Sequence, residues 1–141
     1  MRYGTLALAE LALAYQDRTV SVRELARLQD LPVKYLEQIL SSLKAAGIVR
    51  SIRGKGGGYA LNRNPGDITL EEIFQILEGT PAPVKCVETP QNCNRAKTCP
   101  VRPTWVELGE AITAVLEDTT IEDIAERMRH SKSSRTFMYH I

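Results

Sequence analysis

The run Arg53-Gly54-Lys55-Gly56-Gly57-Gly58 constrains this chain more than any other stretch. Four glycines within five residues cannot sit inside a helix or a strand without a large loss of backbone entropy. The flanking segments, Ile48 to Arg53 and Tyr59 to Leu61, are strand-like in composition. A hairpin with a cationic tip almost free of side-chain bulk follows. A phosphate-cradling nucleotide loop is the rival reading of a glycine-rich run. It is weak here, because no helix opens after the run and the Gly-Lys-Ser/Thr element is missing.

Three helical patterns precede the hairpin. Tyr3 to Gln16 is apolar nearly all round, as befits a helix buried on most sides. Ser21-Val22-Arg23-Glu24 is a capping box, in which the hydroxyl satisfies an orphan N–H and the carboxylate reaches back to the cap. The helix it opens runs to about Gln29 and is apolar at Val22, Leu25 and Leu28. Asp30-Leu31-Pro32 then starts a third helix, with Pro32 at a first helical position and Gly47 as its stop. Val33, Leu36, Ile39, Leu40 and Leu43 give that helix one apolar face. Lys34, Tyr35, Glu37, Gln38, Ser41 and Ser42 fall elsewhere on it. A helix-turn-helix followed by a hairpin is a winged helix. The expected fold is therefore mainly α with a small β-hairpin.

Downstream, Thr69-Leu70-Glu71-Glu72 is a second capping box, opening an amphipathic helix that ends at Gly79. Residues 80–102 show no periodicity and carry four prolines and all three cysteines. A loop of that length in a compact domain is either functional or tied down. A third box, Thr104-Trp105-Val106-Glu107, opens a helix to about Asp118, with an apolar stripe of Trp105, Leu108, Ile112, Val115 and Leu116. That stripe lies beyond the winged-helix core, and a second copy of the chain is its natural cover. Four segments result: a winged-helix domain over 1–79, a cysteine-bearing loop over 80–103, dimerisation helices over 104–128, and a basic, weakly patterned, flexible tail over 129–141.

Composition and charge narrow the function. With 43% hydrophobic and 25% charged residues in 141, the chain has the balance of a folded soluble domain. Leu6 to Tyr15 is too short to span a bilayer and is interrupted by Glu10, so a membrane partner is not expected. It has no export cleavage site either, which points to the cytoplasm. Residues 1–62 hold nine Lys/Arg against five Asp/Glu, and residues 63–141 hold nine against twelve. The first part is thus +4 and the rest −3, an asymmetry that suits an anionic partner for the first part.

Double-stranded DNA fits that partner. Reading a major groove takes polar side chains that reach base edges, with cations to hold phosphates. Gln38 can bond adenine in a bidentate way, Glu37 can accept from a cytosine amino group, and Lys34 and Tyr35 suit phosphates. Ser41 completes the exposed row. In the wing, Arg53 and Lys55, with Gly56 between them and the bare tip, can approach the backbone or place Arg53 in a narrow minor groove. Enzyme activity has no support: His130 and His140 lie in the tail, and no nucleophile has a well-placed base.

Cys86, Cys93 and Cys99 are separated by six and five residues. That is not the C-x-x-C pairing of zinc ribbons, nor a ferredoxin run. An odd count in a reducing compartment also excludes a disulfide framework. Spacing alone fits three ordinary reduced cysteines. Their setting near Lys85, Arg95, Lys97 and Arg102 favours thiolates, which bind zinc, copper or iron–sulfur clusters and also serve as redox sensors. These alternatives stay open on the residues themselves.

Arg2-Tyr3-Gly4, Tyr35-Leu36-Glu37-Gln38, Arg53 to Tyr59, and the three cysteines followed by Trp105 together resemble the IscR/NsrR/RirA family of bacterial winged-helix regulators, over roughly residues 2–128. The resemblance implies a homodimer on palindromic promoter DNA. In it Glu37 and Gln38, with Lys34 beside them, read bases and Arg53 enters the minor groove. It also implies an iron–sulfur cluster on Cys86, Cys93 and Cys99, two-iron two-sulfur ahead of four-iron four-sulfur. Helix 104–118 becomes the dimerisation helix. Some members use a histidine ligand three residues after the third cysteine, where this chain has Arg102. Glu107, Glu88, Glu10 or a carboxylate of the other subunit are then the candidates for a fourth ligand.

Overall fold

The computed structural model describes residues 1–139, so His140 and Ile141 of the expected tail lie outside the described residues. Seven helices and one hairpin follow in the order α1 (Arg2–Leu13), α2 (Val22–Gln29), α3 (Val33–Ala45), β1 (Val49–Ile52), β2 (Gly58–Leu61), α4 (Leu70–Leu77), α5 (Lys85–Glu88), α6 (Arg102–Asp118) and α7 (Ile121–Tyr139). The strands pair antiparallel in the register Val49 to Leu61 and Ile52 to Gly58. The architecture is the expected mainly helical winged helix.

One continuous core holds α1–α4, the hairpin and the start of α7 together. Leu8 and Leu11 of α1 meet Leu25 of α2, Leu36, Leu40 and Leu43 of α3, Ile48, Ile68, Ile73 and Ile121, all essentially inaccessible to solvent. Leu36, Leu40 and Leu43 recur at helical spacing, so burying them turns the opposite side of α3 outward. Val33, counted with them in the sequence, sits at the exposed rim instead, at the start of the helix.

The helix starts differ instructively from the expected capping boxes. Ser21 Oγ accepts from Glu24 N at 3.1 Å and Thr69 Oγ1 from Glu72 N at 3.2 Å, so both hydroxyl arms form. The carboxylate arms do not. Glu24 is bound by Arg18 at 2.8 Å and Glu72 by Arg63 at 2.6 Å, charged donors that outcompete a backbone N–H. The box at Thr104 is absent altogether. The helix begins two residues earlier at Arg102, with Pro103 in its first turn, where a missing N–H costs nothing. The reciprocal box lies instead at Thr120 and Asp123, which opens α7. There Thr120 N donates to Asp123 Oδ2 at 2.8 Å and Asp123 N donates to Thr120 Oγ1 at 3.2 Å.

The largest difference concerns the tail. The sequence ends a short helix at Met128 and leaves residues 129–141 unpatterned, whereas α7 runs on to Tyr139. Its packing along α1 explains this. Glu10 is buried in α1 (8% exposed) and its carboxylate accepts from Lys132 Nζ at 3.0 and 2.9 Å. A buried carboxylate demands such a partner, and the demand extends the helix past the point where its own apolar pattern stops.

Candidate nucleic-acid interface

Every residue picked from the sequence for DNA contact is exposed. Lys34, Tyr35, Glu37, Gln38 and Ser41 share the outward side of α3, and Arg53, Lys55 and Gly56 form the tip of the wing. Glu37, Gln38 and Ser41 lie within about one turn of one another, the spacing that lets neighbouring side chains meet adjacent bases. None of these side chains takes part in an ion pair among the described residues.

The wing is tied to the rest of the domain at its base and at its tip. Val20 N donates to Tyr59 O at 2.9 Å and Tyr59 N to Val20 O at 2.8 Å, which adds the chain before α2 to the hairpin as a third strand-like edge. Thr19 Oγ1 donates to Gly56 O at 2.8 Å. Gly54 and Gly56 adopt φ of 101° and 78°, which residues with a Cβ resist. A Cβ at Gly57 would lie 2.2 Å from Ile52 O, so the turn closes only on a glycine there. The glycine run thus sets the shape of the tip that displays Arg53 and Lys55.

Tyr35 does more than the sequence suggested. It is 46% exposed, and its ring meets Tyr3 of α1 edge to face, with centroids 6.2 Å apart and planes at 86°. The ring is therefore oriented by α1 while its outer part stays free.

The cysteine segment is tied down rather than unstructured. It forms α5, a 3-10 turn over Pro90–Asn92, and further turns closed by Cys93 N to Pro90 O at 3.2 Å and Ala96 N to Cys93 O at 3.2 Å. Gly109 lets α6 approach it closely, since a Cβ there would lie 3.2 Å from Pro83 Cδ. Cys86, Cys93 and Cys99 are free thiols, each half-buried. Their donor chemistry suits a soft metal or a cluster. Their placement does not: among the described residues no three His, Cys, Asp or Glu side chains converge closely enough to hold a metal ion. Of the fourth-ligand candidates on this chain, Glu10 is buried and bound to Lys132, whereas Glu88 and Glu107 are exposed on α5 and α6. Arg102 Nε is buried without a partner beside this segment.

On α6, Trp105, Leu108 and Val115 are 37%, 43% and 65% exposed, and Ala111, Ile112, Val115 and Leu116 line a shallow apolar depression. Of the stripe expected for dimerisation, Trp105, Leu108 and Val115 are thus exposed, and Ile112 and Leu116 are half-buried. Among the described residues no helix is long and apolar enough to cross a membrane.

Comparison with known proteins agrees with this geometry. The Rrf2 family model, described as an iron-dependent transcriptional regulator, matches residues 1–127. The HTH-type transcriptional regulator CymR of Bacillus subtilis is 37% identical over 124 residues, 88% of this chain and 85% of its own length. The solved structure titled as CymR (YrzC), the global cysteine regulator of B. subtilis, superposes with a TM-score of 0.76 at 38% identity, over 89% of this chain and 92% of that one. The structure of T. potens IscR does so with a TM-score of 0.76 at 30% identity, over 98% and 91%. With a winged helix, an exposed polar row on α3 and relatives that are transcriptional regulators rather than enzymes, this chain belongs to the Rrf2 family of transcriptional regulators.

Proposed function

We propose that the protein is a homodimeric regulator in which α3 reads the major groove through Glu37, Gln38 and Ser41. Lys34 and Tyr35 hold phosphates beside it, and Arg53, Lys55 and the backbone at Gly56 engage the adjacent minor groove. The observation that carries this reading is the simultaneous exposure of that row and of a cationic tip on a hairpin anchored to the segment before α2, in a family of regulators. The α6 stripe is the dimer contact, which would pair two reading heads for a palindromic site. The test is binding to a duplex selected by the wild-type chain from a random pool, over a range of salt. Affinity that falls steeply with salt is expected, and no duplex binding in dilute buffer would sink the reading.

The cysteine segment is the candidate sensor. Three half-buried free thiols, with no metal-binding group of three ligands among the described residues, favour reversible thiol chemistry on Cys86, Cys93 and Cys99, a reading supported by the likeness to a solved Staphylococcus aureus CymR titled as its oxidized form. The second reading is the iron–sulfur cluster, two-iron ahead of four-iron, on the same three residues. It is favoured by the iron-dependent description of the family and by the likeness to IscR, and it requires the segment to rearrange around the metal as it binds. A zinc site would need the same rearrangement. Anaerobic purification with an absorption spectrum and iron and sulfide counts separates them. Colour with stoichiometric iron and sulfide selects the cluster. A colourless, metal-free protein whose duplex binding responds to peroxide selects the thiols.

A further inference from the structure

The sequence singles out Arg2-Tyr3-Gly4, and the DNA-reading surface above leaves the motif unused. The structure gives each of its residues a physical task. Gly4 is buried, and a Cβ there would lie 2.5 Å from Leu77 Cδ1 and 3.3 Å from Ile39 Cγ2. Its absence lets the start of α1 settle against both α3 and α4. Tyr3 then meets Tyr35 edge to face at 6.2 Å. The Arg2 guanidinium lies over the Tyr3 ring, 5.7 Å from its centroid. Arg2, Tyr3 and Tyr35 thus form a continuous stack from α1 to the reading helix, with Lys34 as the next residue on α3.

The end of that stack is a cation with nothing to neutralise it. Arg2 is exposed and makes no ion pair among the described residues. Its charge is held by a ring face, which fixes the position of a guanidinium while leaving its N–H groups free to donate. A planar guanidinium so held suits a phosphate, to which it can present two parallel donors. The wing cations belong to a hairpin tip bonded to Thr19, before α2, whereas the stack carries Arg2 alongside Tyr35 near the start of α3.

We infer that Arg2 is a further DNA-contacting residue: it anchors a backbone phosphate beside the N-terminal half of α3, and Tyr3 is its positioning residue. The inference rests on the reading of α3 as the helix that faces DNA. It enlarges each half-site footprint by a contact that carries no base information and fixes register instead.

The test measures affinity of the full chain for the pool-selected duplex and for a scrambled duplex of equal length, from low to high salt. Arg2→Gln is compared with Arg2→Lys and with Arg53→Ala. Arg2→Gln should lower affinity for both duplexes by a similar factor of about 10, and flatten the plot of log affinity against log salt by about 0.9 per phosphate lost, about 1.8 for a dimer. Arg2→Lys keeps the charge and should hold the wild-type slope. A stack that matters only for folding would lower thermal midpoint in both Arg2 variants and leave the salt slope alone, and that result overturns the inference. So does an Arg2→Gln slope equal to wild type while Arg53→Ala flattens it. If the wild-type chain and every variant ignore both duplexes, it is the reading of α3 that fails.

Discussion

At the level of single residues, what a side chain does here depends on which neighbour reaches it first. The Glu24 and Glu72 carboxylates each had a cap within reach by sequence, yet each is taken by an arginine brought in from outside its own helix. Arg18 holds the Glu24 carboxyl below the usual carboxylate range, chiefly through their hydrogen bond. Asp123 is held low as well, first by the Thr120 backbone N–H and then by the Thr120 hydroxyl. A carboxylate depressed in the folded state stabilises it above the unfolded value and loses that contribution as pH falls. The urea midpoint should therefore fall between about pH 6 and about pH 3. Asp123→Ala should start lower and fall less steeply, because its cap and its titration vanish together. Glu37→Ala should change which duplexes are selected, since an acidic group also rejects wrong bases. An unchanged preference in a random-pool selection would remove Glu37 from the base-reading set. Leu40→Ala empties a fully buried site and should cost about 2–5 kcal/mol in denaturant unfolding. The exposed row on α3 was legible because helical periodicity fixes which side faces out. The Tyr3–Tyr35 stack was not, because no local rule brings residues of α1 and α3 into contact.

Elements differ in how much of their existence is local. α2 and α4 matched their sequence signals, because each has a Ser or Thr cap and an amphipathic pattern of its own. α7 is the opposite case. Its C-terminal half has little apolar periodicity, and its position depends on Lys132 reaching a carboxylate 122 residues earlier. Lys132→Met should lower stability by about 1–3 kcal/mol by weakening the partnership of buried Glu10. The loss should show as faster amide exchange in the second half of α7 while α3 stays protected. α6 is amphipathic, and among the described residues nothing covers the exposed part of its outer stripe, which the proposed dimer would bury. Val115→Arg should convert a dimer to a monomer in light scattering and leave the far-ultraviolet spectrum unchanged, since Val115 is 65% exposed in the single chain.

For the whole molecule, the proposed sensor and reading helix must be joined through the packing of the elements between them. α6 packs against both α5 and α4, and α4 packs against α3, so a change at Cys86 has a contiguous route to the polar row. Coupling requires that the two states of the segment differ in free energy with and without DNA. The combined Cys86→Ser, Cys93→Ser and Cys99→Ser chain should bind its selected duplex with an affinity indifferent to peroxide or to iron supply, as measured by fluorescence anisotropy. Retained responsiveness would move the sensor elsewhere. Chain order and local chemistry determined the winged helix, the wing tip and the exposed polar row on α3. A glycine run, two caps and a three-residue apolar repeat act over a few residues and need no distant partner. Only the tertiary structure decided the length of α7, the fate of the capping carboxylates and the stack that ends in Arg2. Each of those depends on which groups, far apart in the chain, are brought within hydrogen-bonding or ring-contact distance, and that is set by packing rather than by neighbours in sequence.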